Sequence, residues 1–228
     1  MAEVATRRGR KKARERLAAA TAYAAMGWPV CAGAYPLEGA AQVRGPQQRR
    51  AAGRACSCDR VGCPDPGAHP VSPAWQTQAS VDPAVITRWW HDWPDANVVL
   101  VTGRVFDVLE VPAAAGRIAV DTFTRFGAET GPVAAWGPDR YLFFVATRGA
   151  PADEDEWWSS HLDCLPGSVA DTPGIGWHCR DSYVLAPPSR HISGQRGHWV
   201  RGPAGGGLPD SLRVLPVLVD ACEEAERR

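Results

Sequence analysis

The chain has 228 residues, 45% of them hydrophobic and 22% charged, with 25 Lys and Arg against 25 Asp and Glu. That balance belongs to a globular protein, long enough for one large domain or two small ones. No apolar run approaches the roughly 18 residues that span a bilayer, and the basic start lacks an uninterrupted apolar stretch, so neither a membrane span nor a secretory signal is expected.

The expected compartment is therefore a reducing cytoplasm, where clustered cysteines serve more often as metal ligands than as disulfides. Charge is unevenly spread: Arg7, Arg8, Arg10, Lys11, Lys12, Arg14 and Arg16 crowd the start, while Glu154, Asp155, Glu156, Glu223, Glu224 and Glu226 come later. A net charge of zero thus leaves room for a local basic surface facing an anionic partner. Ala, Gly, Pro and Arg are abundant throughout, so arginine richness alone carries little weight.

Residues from about Thr6 to Met26 read as a helix, basic in its first half and Ala-rich in its second, with Gly27 placed to end it. Its cations either meet an anion or form a solvated tail. GWPVCAGAY reads as a short buried strand. Gly39 to Pro73 is a long irregular stretch, uncommon unless something organises it.

Within that stretch, CSCDRVGCPDPGAHP gathers Cys56, Cys58, Cys63 and His69 among prolines and glycines. Three thiolates and an imidazole make a tetrahedral zinc donor set, and a site with all four positions filled by protein is structural. C-x-C is a tighter and less common chelate than a doubled C-x-x-C, so ordinary loop cysteines remain the alternative. A loop fixed by metal would carry Arg49, Arg50, Arg54 and Arg60 toward phosphate.

In DPAVITRWWHDWP, Asp82 is an N-cap, Pro83 takes the first helical position and Pro94 stops the helix. Ile86, Trp89, Trp90 and Trp93 fall at helical spacing and are expected in the core. NVVLVTG and VFDVLEV read as two strands joined by a Gly turn. AAAGRIAVDTFTRFGAET is an amphipathic helix, and PVAAW with RYLFFVATR makes a hairpin around Gly137, Pro138 and Asp139.

DEDEWWSSHL reads as a short helix with an acidic, solvated N-terminus. IGWHCRDSYVLAPP reads as a pair of strands, with His178 and Cys179 on opposite faces as a satisfied core pair. GHWVRG is one more strand. Gly202 to Gly207 is a linker without the Lys and Ser/Thr of a phosphate loop. PDSLRVLPVLVDACEEAE closes the chain as a helix bent at Pro216. The sum is an α+β fold with a largely antiparallel sheet. No Ser-His-Asp arrangement can be argued from spacing.

Taken in order, AAATAYAAMGWPV, the cluster ending PGAHP, Trp75, DPAVITRWWHDWPDANVVLVTG and SYVLAPPSRHISGQRGHWVRGP resemble the N-terminal domain of bifunctional DNA primase/polymerases, the prim-pol proteins. The resemblance implies the archaeo-eukaryotic primase fold: an RRM-like α+β unit with a mixed or antiparallel sheet flanked by helices, a second α/β module and a zinc-bearing stem. It implies a basic extension and helix start at 1–16, a prim-pol-like domain at 17–203 with its zinc-stem loop at about 39–73, and at 204–228 a linker and a C-terminal helix packed on the same domain.

The chemistry of that family needs a D-x-D pair on one strand for divalent ions, a His after a Gly-rich turn for the incoming triphosphate, and a third acid on a later strand. Carried onto VFDVLEVPAAAG, the pattern puts Glu110 at the first acid and Pro112 at the second. Onto WGPDRYLFF it puts Tyr141 at the histidine, and counting back from Ser189 it puts Gly176 at the third acid. Asp107, three residues from Glu110, falls on the opposite strand face. A single carboxylate holds magnesium weakly.

The expectation is a stand-alone, catalytically degenerate prim-pol domain of replication-related processes. It would bind nucleic acid, DNA first, or a nucleotide, through Tyr141, Ser189, Arg190, His191, Arg54 and Arg60, with a replication helicase or primase as partner. Arg190 and His191 either touch phosphate or are plain loop residues. The alternative is an active primase/polymerase, its Mg or Mn held by Glu110 with Asp107, Asp121 or Asp181 recruited. A third reading keeps the fold for protein–protein contact.

Overall fold

The computed structural model describes residues 2–37, 55–58, 60, 62–147, 174–203 and 207–228, with side chains from residue 9 onward. Arg49, Arg50, Arg54 and the acidic DEDEWWSSHL segment lie outside the described residues. In chain order the elements are α1 (Ala2–Ala25), β1 (Val30–Gly33), α2 (Trp75–Gln78), α3 (Pro83–Asp92), β2 (Asn97–Val101), β3 (Phe106–Pro112), α4 (Ala113–Phe126), β4 (Val133–Trp136), β5 (Arg140–Ala146), β6 (Gly176–His178), β7 (Tyr183–Ala186), β8 (His198–Arg201) and α5 (Ser211–Arg227). They form a three-stranded sheet in the order β1-β2-β7 and a five-stranded sheet in the order β6-β3-β5-β4-β8. Every pairing between these strands is antiparallel. The mixed α+β architecture agrees with the sequence reading. No helix among the described residues is long and apolar enough to cross a membrane.

The chain divides into two compact units, Met1–Val101 with Tyr183–Gly197, and Thr102–Ser182 with His198–Arg228. β2 and β3, expected as two strands joined by a Gly turn, belong to different sheets, and so do β6 and β7, expected as a pair of strands. The reason lies at the turn. Gly103 has φ +81°, and a Cβ there would sit 2.2 Å from the Cα of Arg180. Thr102 donates through its hydroxyl to the Cys179 carbonyl at 2.5 Å and through its N–H to the Ser182 carbonyl at 3.0 Å. The two connections are thus hydrogen-bonded to each other, and neither closes a hairpin.

In the first unit, α1 packs on α3 and on β1 and β2. The basic helix is not a free tail at its inner end. Arg16 is 1% exposed, and its guanidinium donates to the Pro94 carbonyl at 3.0 Å and to Asp95 at 3.1 and 3.2 Å. Burying a guanidinium is costly unless it is paired and hydrogen-bonded, and Arg16 is both, so it is part of the packing of the first unit. Tyr23 ties α1 to the chain after β7 through a 2.6 Å bond to the Pro187 carbonyl.

Asp82 caps α3 by accepting from the Ala84 N–H at 2.7 Å, with Pro83 at the first helical position. Ile86 and Trp90 are buried, and the Trp90 indole donates to the Ala96 carbonyl at 3.2 Å. Trp93 departs from the expected core: it is 44% exposed. The helix has already ended at Asp92, and Trp93 sits at φ −126°, ψ 75°, so helical spacing no longer governs its direction.

In the second unit, Leu109, Val111, Val133, Phe143 and Val145 line one face of the five-stranded sheet. Ala115, Ala119 and Phe123 of α4 and Val214, Leu215 and Leu218 of α5 cover it. Burial of each large apolar side chain contributes roughly 1.5–3 kcal/mol. α4 ends at Gly127, which takes φ +63°, and α5 starts at Asp210, whose side chain accepts from the Leu212 N–H at 3.0 Å. α5 continues through Pro216 to Arg227 and packs along α4. Gly116 lets α4 lie close to the sheet, since a Cβ there would meet the Tyr141 ring at 2.3 Å.

Candidate functional site

Cys56, Cys58, Cys63 and His69 converge, with their ligand atoms all within 4.8 Å of one another. His69 Nε2 lies 3.5 Å from Cys56 Sγ and 3.3 Å from Cys63 Sγ. The other ring nitrogen, Nδ1, is 2.7 Å from the Pro70 carbonyl. A carbonyl only accepts, so Nδ1 carries a proton and Nε2 is the nitrogen turned to the sulfurs, as in histidine ligands oriented by an outer acceptor.

The loop is stitched along the free edge of β1. Ala34 donates to the His69 carbonyl at 2.8 Å and Val71 to the Ala32 carbonyl at 2.9 Å. Cys56 is bridged to Pro36, and Pro70 to Gly33. Gly67 has φ +80° with Pro36 Cδ 2.6 Å from where a Cβ would be, and its N–H donates to Cys56 Sγ at 3.2 Å.

Burial opposes a thiolate at Cys56, but hydrogen bonds from His69 and the N–H groups of Cys58 and Gly67 outweigh it and bring that thiol down to about 6. The same contact with Cys56 raises His69 to about 9. Burial, with the neighbouring sulfurs of Cys58 and Cys56, pushes Cys63 up to about 12. The cluster accommodates one negative sulfur and resists a second, a conflict that a central cation removes. Three sulfurs and one nitrogen, closed to further ligands, fit a structural metal ion of the zinc type.

Asn97, fully buried, joins this loop to the segment after β7. Its Nδ2 donates to the carbonyls of Gly67 and Arg190, both at 2.8 Å, and its Oδ1 accepts from the Arg190 N–H at 2.9 Å. Ser189 is equally buried. Its hydroxyl accepts from the Val98 N–H at 2.8 Å and donates to the Val98 carbonyl at 3.2 Å, which places it in the interior and not at a surface that meets phosphate. Arg190 and His191 are half-buried and Arg60 is exposed. His191 Nδ1 lies 3.0 Å from Ser193 Oγ. Burial, then the charges of Arg190 and Arg196, oppose the charge of Arg16, while Asp95 and Glu15 support it, so three arginines share this part of the first unit.

The positions around Glu110 meet in the second unit. Gly176 is directly opposite Glu110 across β3 and β6, so the positions expected to match the first and third acids are adjacent in space. Pro112 is opposite Arg140, and Val108 opposite His178. In place of further acids, Glu110 meets two nitrogen bases. Arg140 Nη1 donates to Glu110 Oε1 at 2.6 Å, and His178 Nε2 lies 3.1 Å from Glu110 Oε2. Burial works against ionisation of Glu110, but the hydrogen bond with His178 and the charge of Arg140 outweigh it and hold its pKa below the usual range.

His178, expected as a core residue, is instead 29% exposed and part of this cluster. Its Nδ1 lies 3.1 Å from Ser182 Oγ. Tyr141 pairs with Val111 and packs on Gly116 of α4, on the face opposite Glu110. Asp107 also lies on that opposite face, 3% exposed, receiving the Trp177 indole N–H at 3.3 Å, and burial raises its pKa to about 6. Asp121 is exposed on α4, and Asp181 is exposed with Arg180 4.0 Å away. Among the described residues, the cysteine–histidine cluster is the only group of three or more His, Cys, Asp or Glu side chains placed to hold a metal ion.

Arg140, His178, Ser182 and Asn97 are the residues that the sequence reading left without a role at these sites. The signal for the first two is strand register: once Gly176 stands opposite Glu110, His178 falls two residues along on the same face.

Residues 20–217 match the family model for the N-terminal domain of bifunctional DNA primase/polymerases. No curated protein matches the chain.

Proposed function

Since the chain belongs to the family of bifunctional DNA primase/polymerase N-terminal domains, we propose that it is a primase/polymerase-like domain with a degenerate nucleotidyl-transfer centre, one that binds nucleic acid, DNA first, or nucleotide in replication-related processes. The observation that carries this is the surroundings of Glu110. Two-metal transfer needs clustered carboxylates to neutralise and position the ions. Here the positions for the other two acids are Pro112 and Gly176, and the one carboxylate is already bound by Arg140 at 2.6 Å and by His178 at 3.1 Å. Each oxygen of Glu110 already has a nitrogen partner, a guanidinium on one and an imidazole on the other.

On this reading Cys56, Cys58, Cys63 and His69 would hold zinc and supply shape, not chemistry. The surface for phosphate would come from Arg190, His191 and Arg60, with the exposed cations of α1 and with Arg54 from outside the described residues. Ser189 would support that surface from behind, and Tyr141 would serve within the second unit. Priming would fall to a partner, a replication helicase or a separate primase.

The test is the affinity for a labelled single-stranded DNA oligonucleotide across a salt series. Phosphate contacts release counterions, so log affinity is expected to fall with log salt by about 0.7 per contact. Undetectable binding at low salt removes the reading.

A further inference from the structure

The hydrogen bonds around Glu110 continue beyond His178. Ser182 Oγ lies 3.1 Å from His178 Nδ1, His178 Nε2 lies 3.1 Å from Glu110 Oε2, and Arg140 Nη1 closes on Glu110 Oε1 at 2.6 Å. All four residues belong to the second unit. Glu110 comes from β3, Arg140 from β5, His178 from β6, and Ser182 from the turn before β7.

The proton inventory sets the direction of this chain of bonds. Glu110 is held as a carboxylate, and a carboxylate only accepts. His178 Nε2 must therefore donate to it. In the neutral ring the proton then sits on Nε2, and Nδ1 keeps a lone pair. That lone pair faces the Ser182 hydroxyl, which donates. A hydroxyl, a base and a carboxylate that fixes the tautomer of the base are the parts of an activated serine, recognised by geometry and not by chain order.

Two further observations agree. Asp181, next to Ser182, has φ +56°, the one positive-φ non-glycine among the described residues, and backbone of that kind tends to collect where a side chain is presented for function. His178 and Glu110 are 29% and 21% exposed and Ser182 is half-buried, so all three residues are partly open to solvent.

The geometry points to Ser182 as an activated nucleophile toward a neutral acyl electrophile, an activated carboxylic ester, with His178 as general base and Glu110 as the residue that positions it. This is an activity separate from nucleic-acid binding. Ser182 Oγ bonds to the carbonyl carbon as His178 Nδ1 takes the hydroxyl proton. The bond from carbon to the leaving oxygen then breaks, and Nδ1 returns the proton to that oxygen. Water repeats the sequence on the acyl-serine and releases the acid, with no change of oxidation state. A neutral substrate is favoured over a phosphodiester because Arg140, the cation bonded to Glu110, is already engaged by that carboxylate.

The test uses the full chain and a neutral fluorophosphonate probe, with the adduct mapped by peptide mass spectrometry. An adduct on Ser182 is expected in the native protein, absent after urea denaturation and in Ser182→Ala. Its rate of formation is expected to fall by about a hundredfold or more in His178→Gln, the lower end of what a general base contributes. No adduct at Ser182, equal labelling of the denatured chain, or an unchanged rate in a folded His178→Gln protein overturns the proposal. Where His178→Gln does not fold, the native-against-denatured comparison, with Ser182→Ala beside it, decides. A burst of nitrophenolate from p-nitrophenyl acetate that requires Ser182 supports the acyl assignment. Release from bis(p-nitrophenyl) phosphate and not from the ester overturns it.

Discussion

Asn97 and Arg190, 93 positions apart, exchange two hydrogen bonds between one side chain and one backbone unit, at 2.8 and 2.9 Å. The same amide holds the Gly67 carbonyl at 2.8 Å, so the metal-ligand loop and the segment after β7 are fixed by a single buried residue. Asn97→Leu strands three backbone groups, one buried and two partly buried, each costing up to about 1–3 kcal/mol when left unpaired. The expected result is a loss of at least about 2 kcal/mol in the unfolding free energy. Thermal melting measures it, and metal affinity should weaken with it because Gly67 also donates to Cys56.

The cysteine–histidine cluster is expected to carry one zinc per chain. Metal analysis of purified protein should find it, and a strong chelator should lower the melting temperature, since binding free energy at such a site is folding free energy. Cys63→Ser should lose the metal and the chelator response together. Protein without zinc, and a Cys63→Ser variant melting like wild type, would remove the site.

Glu110 should matter for stability and not for polymerisation. With magnesium or manganese and a single-stranded template, no primer is expected from wild type or from Glu110→Ala. Product that vanishes in the variant would instead establish an active centre. For stability the sign follows from a folded pKa lowered from 4.5. The contribution is present above that value and is lost as pH falls below it. Glu110→Gln should therefore cost about 1–2 kcal/mol near pH 7, a modest figure for charged hydrogen bonds that are partly open to water. The difference should shrink below pH 4.5, read by denaturant titration at several pH values.

Asp107 should behave in the opposite sense. Burial raises it from 3.8 to about 6, so its stability contribution is complete below 3.8 and is lost as pH rises through about 6. Asp107→Asn keeps the acceptor for Trp177 without the charge. It should match wild type near pH 3.5 and exceed it above pH 7 by up to roughly 3 kcal/mol, the equivalent of a two-unit shift. Equal pH profiles for the two proteins would contradict the burial account.

What the sequence made legible was local. Asp82 and Pro83 announce α3, and Gly127 ends α4, because caps and positive φ are set within a few residues. The four metal-site residues lie within one short loop, and their donor chemistry is readable before any fold is known. The role of His178 was not. It depends on a partner 68 positions away, and a strand by itself says only that His178 and Cys179 point apart.

Gly103 shows the same limit in the backbone. A glycine turn between two apolar runs carries the same local signal whether it closes a hairpin or hands the chain to another sheet. The difference here is the Cys179–Ser182 backbone bonded to Thr102, which no short window contains. Trp93 departs from the helical pattern for a smaller reason: the helix stops one residue before it.

The first unit is left after Val101, rejoined at Tyr183 and left again after Gly197. Neither unit can be isolated by a single deletion from either end. A protease nick anywhere between those crossings would yield two fragments, each lacking pieces the other must supply. Biochemical dissection is therefore better done by mixing complementary peptides than by progressive shortening.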